Sequence, residues 1–469
     1  MPLSLIIVPV CVVAGYVSLR LTPLSWNVAA ALSLVALPFA PAASLAYLLG
    51  VLLGYRRGVR IPRGRRAASD GGGLAIGTDR AGRLVRIPLR ERSGSHTLVV
   101  GATGSGKTVT EAWIVGRAIE HGHGAVIIDP KGDELLRNAA RTAARTAGRE
   151  FVEWTPRGSA VYNPYAHGSA SEIADKALAG ELFTEPHYLR QSQRYLGNAV
   201  RAITAAGETP TPRRLVEMMD PRELEQVARG LADEALARSL FAYLDSLDGR
   251  QRAGLTGTRD RIAILAESEM GPWLDPASRG PRLDLLDAVR ERAVVYFRLE
   301  ADRLPLLARM LGAAIVQDLL TVSAECQQSP VPTLVALDEF SALGTAAVAR
   351  LFGRARAAGL SLLLATQEVA DLRAADDELL DQVLGNVETV VAHRQSVPES
   401  AELIARIAGT HVVWARTEQL SHGFANGHAT QTQGREYLIH PDEIKSLTPG
   451  VAAVARAGGS CAVTRIFHP

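Results

Sequence analysis

Gly101-Ala102-Thr103-Gly104-Ser105-Gly106-Lys107-Thr108 sets three glycines ahead of one ammonium and one hydroxyl. That spacing suits the phosphates of a nucleotide. The glycines let backbone N–H groups face phosphate oxygens with no side chain between them, and a following helix N-terminus adds favourable partial charge. Lys107 would reach the β- and γ-phosphates, and the Thr108 hydroxyl would complete a Mg²⁺ shell. An apolar run at 96–100 (HTLVV), bounded by Ser-Gly before and Gly after, predicts a buried strand leading in. A helical stretch through about His121 leads out. Strand, glycine loop and helix together are the context that confirms a Walker A motif. With 42 glycines and four lysines in 469 residues, the pattern arises by chance only about 0.003 times, so ATP with Mg²⁺ is the expected ligand.

A second signal lies at Thr333-Leu-Val-Ala-Leu-Asp338-Glu339. An apolar run ending in two acids describes a buried parallel strand with carboxylates at its C-terminal edge, where α/β proteins bind ligands. Asp338 would hold Mg²⁺ through water, and Glu339 would orient and deprotonate the attacking water. Alone, the pair reads equally well as a strand entering an acidic helix start; beside the glycine loop it reads as chemistry. A third run, 360–366 (LSLLLAT), ends in Gln367, which fits a sensor of the γ-phosphate or the water on a strand next to the loop. Before it stand Arg354 and Arg356. A guanidinium there would stabilise charge on a transferring phosphoryl group of a neighbouring subunit. Arg356 is the first choice and Arg354 the second; a solvated helix face is the plain alternative for both. The run 125–129 (AVIID) predicts one more buried strand. Lys131 comes after it, one of four lysines in an arginine-dominated chain with Lys107, Lys176 and Lys445. Either Lys131 has a role or it pairs with Asp133 or Glu134.

The elements that position these groups come from composition and pattern. Hydrophobic residues are 47%, charged residues 21% and the formal net charge is +2. A disordered tail, a polytopic membrane protein and an overall basic coat are excluded. Cys11, Cys326 and Cys461 lie too far apart for a disulfide framework or a cysteine-rich zinc module. Apolar runs at 3–19 and 28–55 each suffice for a membrane span. Arg56, Arg57, Arg60, Arg63, Arg65 and Arg66 come after the second run, against Arg20 in the connector, so both ends face the cytoplasm. A cleaved signal peptide would need a basic n-region and a small-x-small site, and neither is evident. The expectation is a two-helix anchor in the cell membrane whose arginines favour anionic lipids.

The motif set as a whole resembles the type IV secretion coupling proteins, the TraG/TraD-type conjugative DNA-transfer ATPases within the HerA/FtsK group of P-loop motors. The matching stretches are the membrane pair, GATGSGKT, IDPKGDE, YNPY at 162–165, LVALDEFSALG, RARAAGLSLLLATQ and the closing REYLIHPDEIKSLTPGVAAVARAG. The resemblance implies a RecA-like nucleotide-binding domain interrupted by an all-helical domain, a hexamer around a DNA channel, and a relaxase and channel proteins as partners. The expected organisation is an anchor at 1–66, the nucleotide-binding domain at 67–168 and 286–469, and a helical insert at 169–285. Ser169 and Glu172 read as a capping box. Helical spacing covers 187–206, 212–219, 221–247 and 253–267, and strand pattern returns at 293–299. Two features depart from the family pattern: the connector at 20–27 is short for contacts to an outer channel, and no winged-helix reader or acidic tail is evident, so cargo recognition is expected in the insert or in another protein.

DNA contacts carry no motif. A translocating channel needs basic groups for backbone phosphates and tolerates any base sequence. Arg250, Arg252, Arg259 and Arg261 form a candidate patch, with a solvated helix face as the alternative. The polar stretch 417–433 predicts a mobile loop. His121 and His123 read as a helix end, not a metal site. The first functional expectation is a membrane-anchored ATPase that pumps DNA or a DNA–protein complex toward a secretion channel. The alternatives are an FtsK-like pump for double-stranded DNA and a nucleotide-gated platform for docking cargo.

Overall fold

The order of the strands explains why the chemistry converges. The computed structural model describes residues 73–469 except 181, 182, 184, 344, 376, 377, 422, 423, 457 and 458. The expected anchor at 1–66 lies outside the described residues. Among the described residues one helix, Pro305–Cys326, is long and apolar enough to cross a membrane, but most of it is buried within the protein.

In chain order the strands are β1 (Leu74–Asp79), β2 (Leu84–Ile87), β3 (Thr97–Val100), β4 (Gly124–Asp129), β5 (Phe151–Trp154), β6 (Val161–Tyr162), β7 (Arg282–Leu283), β8 (Val294–Arg298), β9 (Thr333–Leu337), β10 (Leu360–Thr366), β11 (Thr389–Ala392), β12 (Thr410–Ser421), β13 (Phe424–Tyr437), β14 (Val451–Arg456) and β15 (Ser460–Ile466). Eleven of them form one sheet in the order β2-β1-β15-β14-β11-β3-β10-β9-β4-β8-β5. From β11 to β5 all neighbours run parallel. From β2 to β11 they alternate in direction. The fold is therefore α/β on a large mixed sheet.

The central strands β3, β4, β9 and β10 are buried at every position, which is why they read as continuous apolar runs instead of alternating ones. Successive side chains still divide between the faces. Leu98, Val100, Val335 and Leu337 join one core with the helices Pro305–Cys326 and Thr345–Ala355. Val99, Ala125, Ile127 and Ala336 join the other, against Ile114, Val115 and Ile119 of the helix Lys107–Glu120.

Between β6 and β7 the described chain is helical: Ala170–Ala177, Pro186–Ala205, Pro212–Met218, Pro221–Arg229, Glu234–Asp245 and Gly249–Ala266. Their apolar faces make a separate core around Tyr195, Leu196, Ile203, Leu215 and Tyr243. The capping box is present: Ser169 Oγ accepts from the Glu172 N–H, and a Glu172 carboxylate oxygen accepts from the Ser169 N–H. The single helix expected over 221–247 is two helices. Gly230 ends the first, and Asp233 starts the second by accepting the N–H groups of Ala235 and Leu236, so local cap chemistry overrides the continuous apolar spacing. β6 and β7 pair in parallel where the chain enters and leaves this helical region.

One buried cluster joins the helices to the sheet domain. Lys176 Nζ donates to Asp318 Oδ1 at 2.6 Å and to the His167 carbonyl at 2.6 Å, and the Tyr162 hydroxyl donates to Asp318 Oδ2 at 2.7 Å. The side chains of Lys176 and Asp318 are 1% and 3% exposed.

Of residues 417–433, expected to be a loop, the described 417–421 and 424–433 lie in the β12–β13 antiparallel pair. A two-stranded ribbon satisfies its backbone groups by pairing whatever its side chains are, so polarity alone does not forbid strands there.

Candidate nucleotide site

The register of three strands places the three motifs side by side. Val100 of β3 stands opposite Thr366 of β10, and Leu364 of β10 stands opposite Leu337 of β9. Gly101, Gln367 and Asp338 therefore emerge at one sheet edge, at the strand spacing of about 4.8 Å.

The glycine loop is tied to its surroundings through its backbone. The N–H of Gly101 donates to the Thr366 carbonyl at 3.3 Å, and that of Ala102 to the Arg394 carbonyl at 3.0 Å. Gly106, at φ 108°, turns the chain into the helix Lys107–Glu120, and no side chain caps that helix. Its first N–H groups therefore remain open for an anion. A Cβ at Gly101 would lie 2.5 Å from Ser105 Oγ and 2.8 Å from His393 Cβ, so only glycine fits. Behind the loop sits His393, fully buried, with Nε2 2.7 Å from Thr110 Oγ1 and Nδ1 3.1 Å from the Val451 carbonyl. Burial pushes the His393 imidazole down to about 4, so near pH 7 the neutral ring donates from Nδ1 and accepts from Thr110. The Gly450 N–H adds a bond to the Ser105 carbonyl at 3.0 Å. The closing segment thus braces the loop from below.

In front of the loop, Lys107 meets three carboxylates. Its Nζ hydrogen-bonds Asp338 Oδ1 and lies 3.3 Å from Glu339 Oε1 and 3.4 Å from Glu111 Oε1. Burial opposes the ammonium, but Glu111, Asp338 and Glu339 outweigh it and hold Lys107 above its ordinary range. Burial raises Glu111 and Asp338 despite the lysine. Glu339 goes the other way: burial would raise it, but Lys107, the Gln367 amide and Lys131 together hold it below the usual carboxylate range. The Glu339 backbone has φ 44° and ψ 44°, a left-handed conformation uncommon for a non-glycine residue and frequent at functional sites. Gln367 Nε2 donates to Glu339 Oε1 at 2.9 Å, and Thr103 Oγ1 donates to Gln367 Oε1 at 3.3 Å.

The donor set fits a phosphate-bound Mg²⁺. Among the described residues no group of three or more His, Cys, Asp or Glu forms a ready-made metal cage. Mg²⁺ is usually held by one or two carboxylates together with substrate phosphates, and Asp338 meets Lys107, the residue before the half-buried Thr108. The hydroxyls of Ser105 and Thr366 are buried here without a hydrogen-bond partner.

Several neighbours carried no signal in the sequence. Glu111, one helical turn beyond Lys107, is buried against it. Gln395, also fully buried, donates to the Gln367 carbonyl at 3.2 Å and accepts from the Val369 N–H at 3.4 Å, fixing the backbone at Gln367. Lys131 pairs with neither Asp133 nor Glu134. Asp133 caps the helix Glu134–Thr146, and Lys131 Nζ lies 3.3 Å from Glu339 Oε1.

Arg356 is not in this chain's own phosphate site. It precedes the N-terminal end of β10, a seven-residue strand or about 23 Å away from the loop. There it donates to the Asn386 carbonyl at 2.5 Å and lies 3.8 Å from Glu388. Arg354 ends the helix Thr345–Ala355 on an exposed position. The four arginines of the helix Gly249–Ala266 have different surroundings. Arg252 donates to the Leu244 and Leu247 carbonyls and Arg259 lies 3.9 Å from Glu267, while Arg250 and Arg261 line a groove with Phe183 and Tyr188. His121 caps the end of the helix Lys107–Glu120, and His123 is buried just beyond it.

Two family models match the chain: "Helicase HerA, central domain" over residues 74–247 and "TraM recognition site of TraD and TraG" over residues 332–449. No curated protein matches it in sequence. Among solved structures, the bacterial conjugative coupling protein TrwB in an unbound form aligns with a TM-score of 0.65 at 18% identity, covering 85% of this chain and 89% of that one. TrwB in complex with ADP and Mg²⁺ aligns at 0.63 and 19% identity, covering 86% and 91%. VirB4 of Thermoanaerobacter pseudethanolicus aligns at 0.55 and 16% identity, covering 86% and 98%. Such identities establish the fold. With the two family models they bear out the resemblance read from the motifs: the chain has the fold of a P-loop ATPase and matches both a HerA model and a TraD/TraG model.

Proposed function

We propose that this P-loop ATPase is a membrane-anchored motor that uses ATP hydrolysis to drive DNA, or a DNA–protein complex, toward a type IV secretion or conjugation channel. The observation that carries the reading is the meeting of the two family models at one site. The HerA model contributes Lys107, and the TraD/TraG model contributes Asp338, Glu339 and Gln367; the sheet brings all four within contact.

ATP binds with its phosphates over residues 101–108, and its negative charge draws Lys107 away from the carboxylates that hold it in the free protein. Asp338, through water, and the Thr108 hydroxyl would hold Mg²⁺, which would neutralise phosphate charge. Glu339, once released by Lys107, accepts the proton of the water that attacks the γ-phosphorus. Gln367, held by Thr103 and Gln395, couples the state of the phosphate to the glycine loop. The TrwB complex with ADP and Mg²⁺ supports this choice of nucleotide and metal.

Assembly and placement extend the same reading. The chain forms a hexamer in which Arg356 acts on the neighbour's γ-phosphate, since it lies too far from its own. Residues 1–66 anchor it by two helices with the ATPase domain cytoplasmic, residues 169–285 form a helical insert in the nucleotide-binding domain, and DNA passes through the ring. The TraM-recognition model supports a relaxosome protein as a partner.

Measuring ATP turnover with and without single- and double-stranded DNA tests the proposal. A motor is stimulated several-fold by at least one form. Stimulation by duplex alone favours an FtsK-like pump, and slow turnover indifferent to both forms points to a docking platform and overturns the motor.

A further inference from the structure

Lys131 stands on the loop between β4 and the helix Glu134–Thr146, and that loop is held from several sides. The buried Asp129 carboxylate accepts the N–H groups of Lys131 at 2.8 Å, Gly132 at 2.6 Å and Asp133 at 2.6 Å, and the Tyr296 hydroxyl donates to it as well. Gly132 is at φ 83°, and a Cβ there would come within 2.5 Å of Arg298 Nε. The Lys131 backbone therefore has one position. β4 and β9 are neighbours, with Ile128 opposite Leu337, so the two strand ends deliver Lys131 and Glu339 to the same place.

The contacts on the Glu339 carboxylate are one-sided. Lys131 at 3.3 Å, Lys107 at 3.3 Å and Gln367 at 2.9 Å all meet Oε1. Lys107 is shared with Asp338 and Glu111, and a nucleotide's phosphates compete for it. Lys131 and Gln367 are the contacts that persist once Lys107 turns to the phosphates.

We infer that Lys131 is a positioning residue for Glu339, anchoring Oε1 together with Gln367 so that Oε2 is the oxygen presented to the attacking water. The inference rests on the ATPase reading of the site. In the step it serves, the water oxygen bonds to the γ-phosphorus, the bond from that phosphorus to the β–γ bridging oxygen breaks to leave ADP, and the water proton passes to Oε2. Without Lys131 the carboxylate keeps one neutral anchor and can rotate, and a displacement of about 1 Å in a reacting group costs on the order of 100-fold in rate.

The test is steady-state ATP hydrolysis by the full chain carrying Lys131→Ala or Lys131→Arg, each also in a Glu339→Gln background, with ADP binding measured as a check on folding. The expected result for Lys131→Ala is a kcat lowered about 30- to 100-fold with KM and ADP affinity within about 2-fold. Lys131→Arg restores most of the rate, because a guanidinium can still reach Oε1. In the Glu339→Gln background the loss of Lys131 costs nothing further. A kcat for Lys131→Ala within 2-fold of the parent overturns the inference, as does an equal additional loss in the Glu339→Gln background. If Lys131→Ala loses ADP binding, the Lys131→Arg comparison decides: no recovery of rate refutes the positioning role. A parent chain whose rate is unchanged by Lys107→Ala would instead refute the ATPase reading itself.

Discussion

Replacing Lys176 with methionine should loosen the join between the helical region and the sheet domain without touching the nucleotide site. Lys176 Nζ and Asp318 Oδ1 are 2.6 Å apart with both side chains nearly inaccessible. At an effective dielectric near 20, two unit charges at that distance attract by roughly 6 kcal/mol, and desolvation of the pair cancels most of it. The mutation removes the attraction and leaves the desolvated Asp318 carboxylate behind, with only the Tyr162 hydroxyl on Oδ2. Breaking a buried pair in this way costs about 3–5 kcal/mol. Burial already raises Asp318 even with its lysine in place, and losing the lysine raises it further. A folded-state value above the unfolded one contributes stability that is present at low pH and lost as pH rises through it. The deficit should therefore shrink as pH falls from 7 toward 5. Chemical denaturation of the single mutants and of Lys176→Met/Asp318→Leu measures this. Replacing both partners by apolar groups should recover most of the loss. A single-mutant loss below about 1 kcal/mol, or a double mutant worse than the sum of the singles, would refute the reasoning.

Three further outcomes are expected. Glu339→Gln should bind ATP about as tightly as the parent while turnover falls by a factor of about 100 or more; hydrolysis at the parental rate, measured by phosphate release, would remove Glu339 as the base. Arg356→Ala should bind nucleotide normally and hydrolyse it poorly, and mixing it with Lys107→Ala should restore part of the activity, because a junction can combine an intact loop from one chain with an intact arginine from another. Full activity in a demonstrably monomeric Arg356→Ala sample would exclude the trans role. Acid should destabilise the fold between about pH 6.5 and 4: burial holds His96 and His393 near 4, so the unfolded chain binds protons that the folded one refuses, and up to about 3 kcal/mol per histidine is lost across that window. His393→Gln should flatten the acid limb of the stability curve, and an unchanged limb would show that the ring is not held neutral.

The parts of the site legible in the sequence are those written in consecutive residues. The glycine loop, the apolar run ending in Asp338 and Glu339, and the run 360–366 each announce a strand together with the polar groups at its C-terminal end, and β10 has those very bounds. The partners are not legible where sheet order creates them. Lys131 and Glu339 are 208 positions apart, and only the adjacency of β4 and β9 joins them. Gln395 and His393 come just after β11, whose place beside β3 no local pattern states. Lys176 stands out only for its rarity, because a buried lysine needs a distant acid, and Asp318 lies inside a helix that otherwise reads as apolar core. The β12–β13 ribbon reads as a loop because strand signals depend on a buried face, which a polar stretch lacks.

Movement along DNA tests the central claim most directly. Purified full-length chain is given a duplex carrying a labelled third strand, and release of that strand is followed with ATP, with a non-hydrolysable ATP analogue, and with the Glu339→Gln protein. A motor releases the strand with ATP alone, at a rate that tracks ATP turnover, and does so only in the parent chain. ATP turnover that DNA stimulates but that never displaces the strand, on duplex or on single-stranded flanks, would contradict the account.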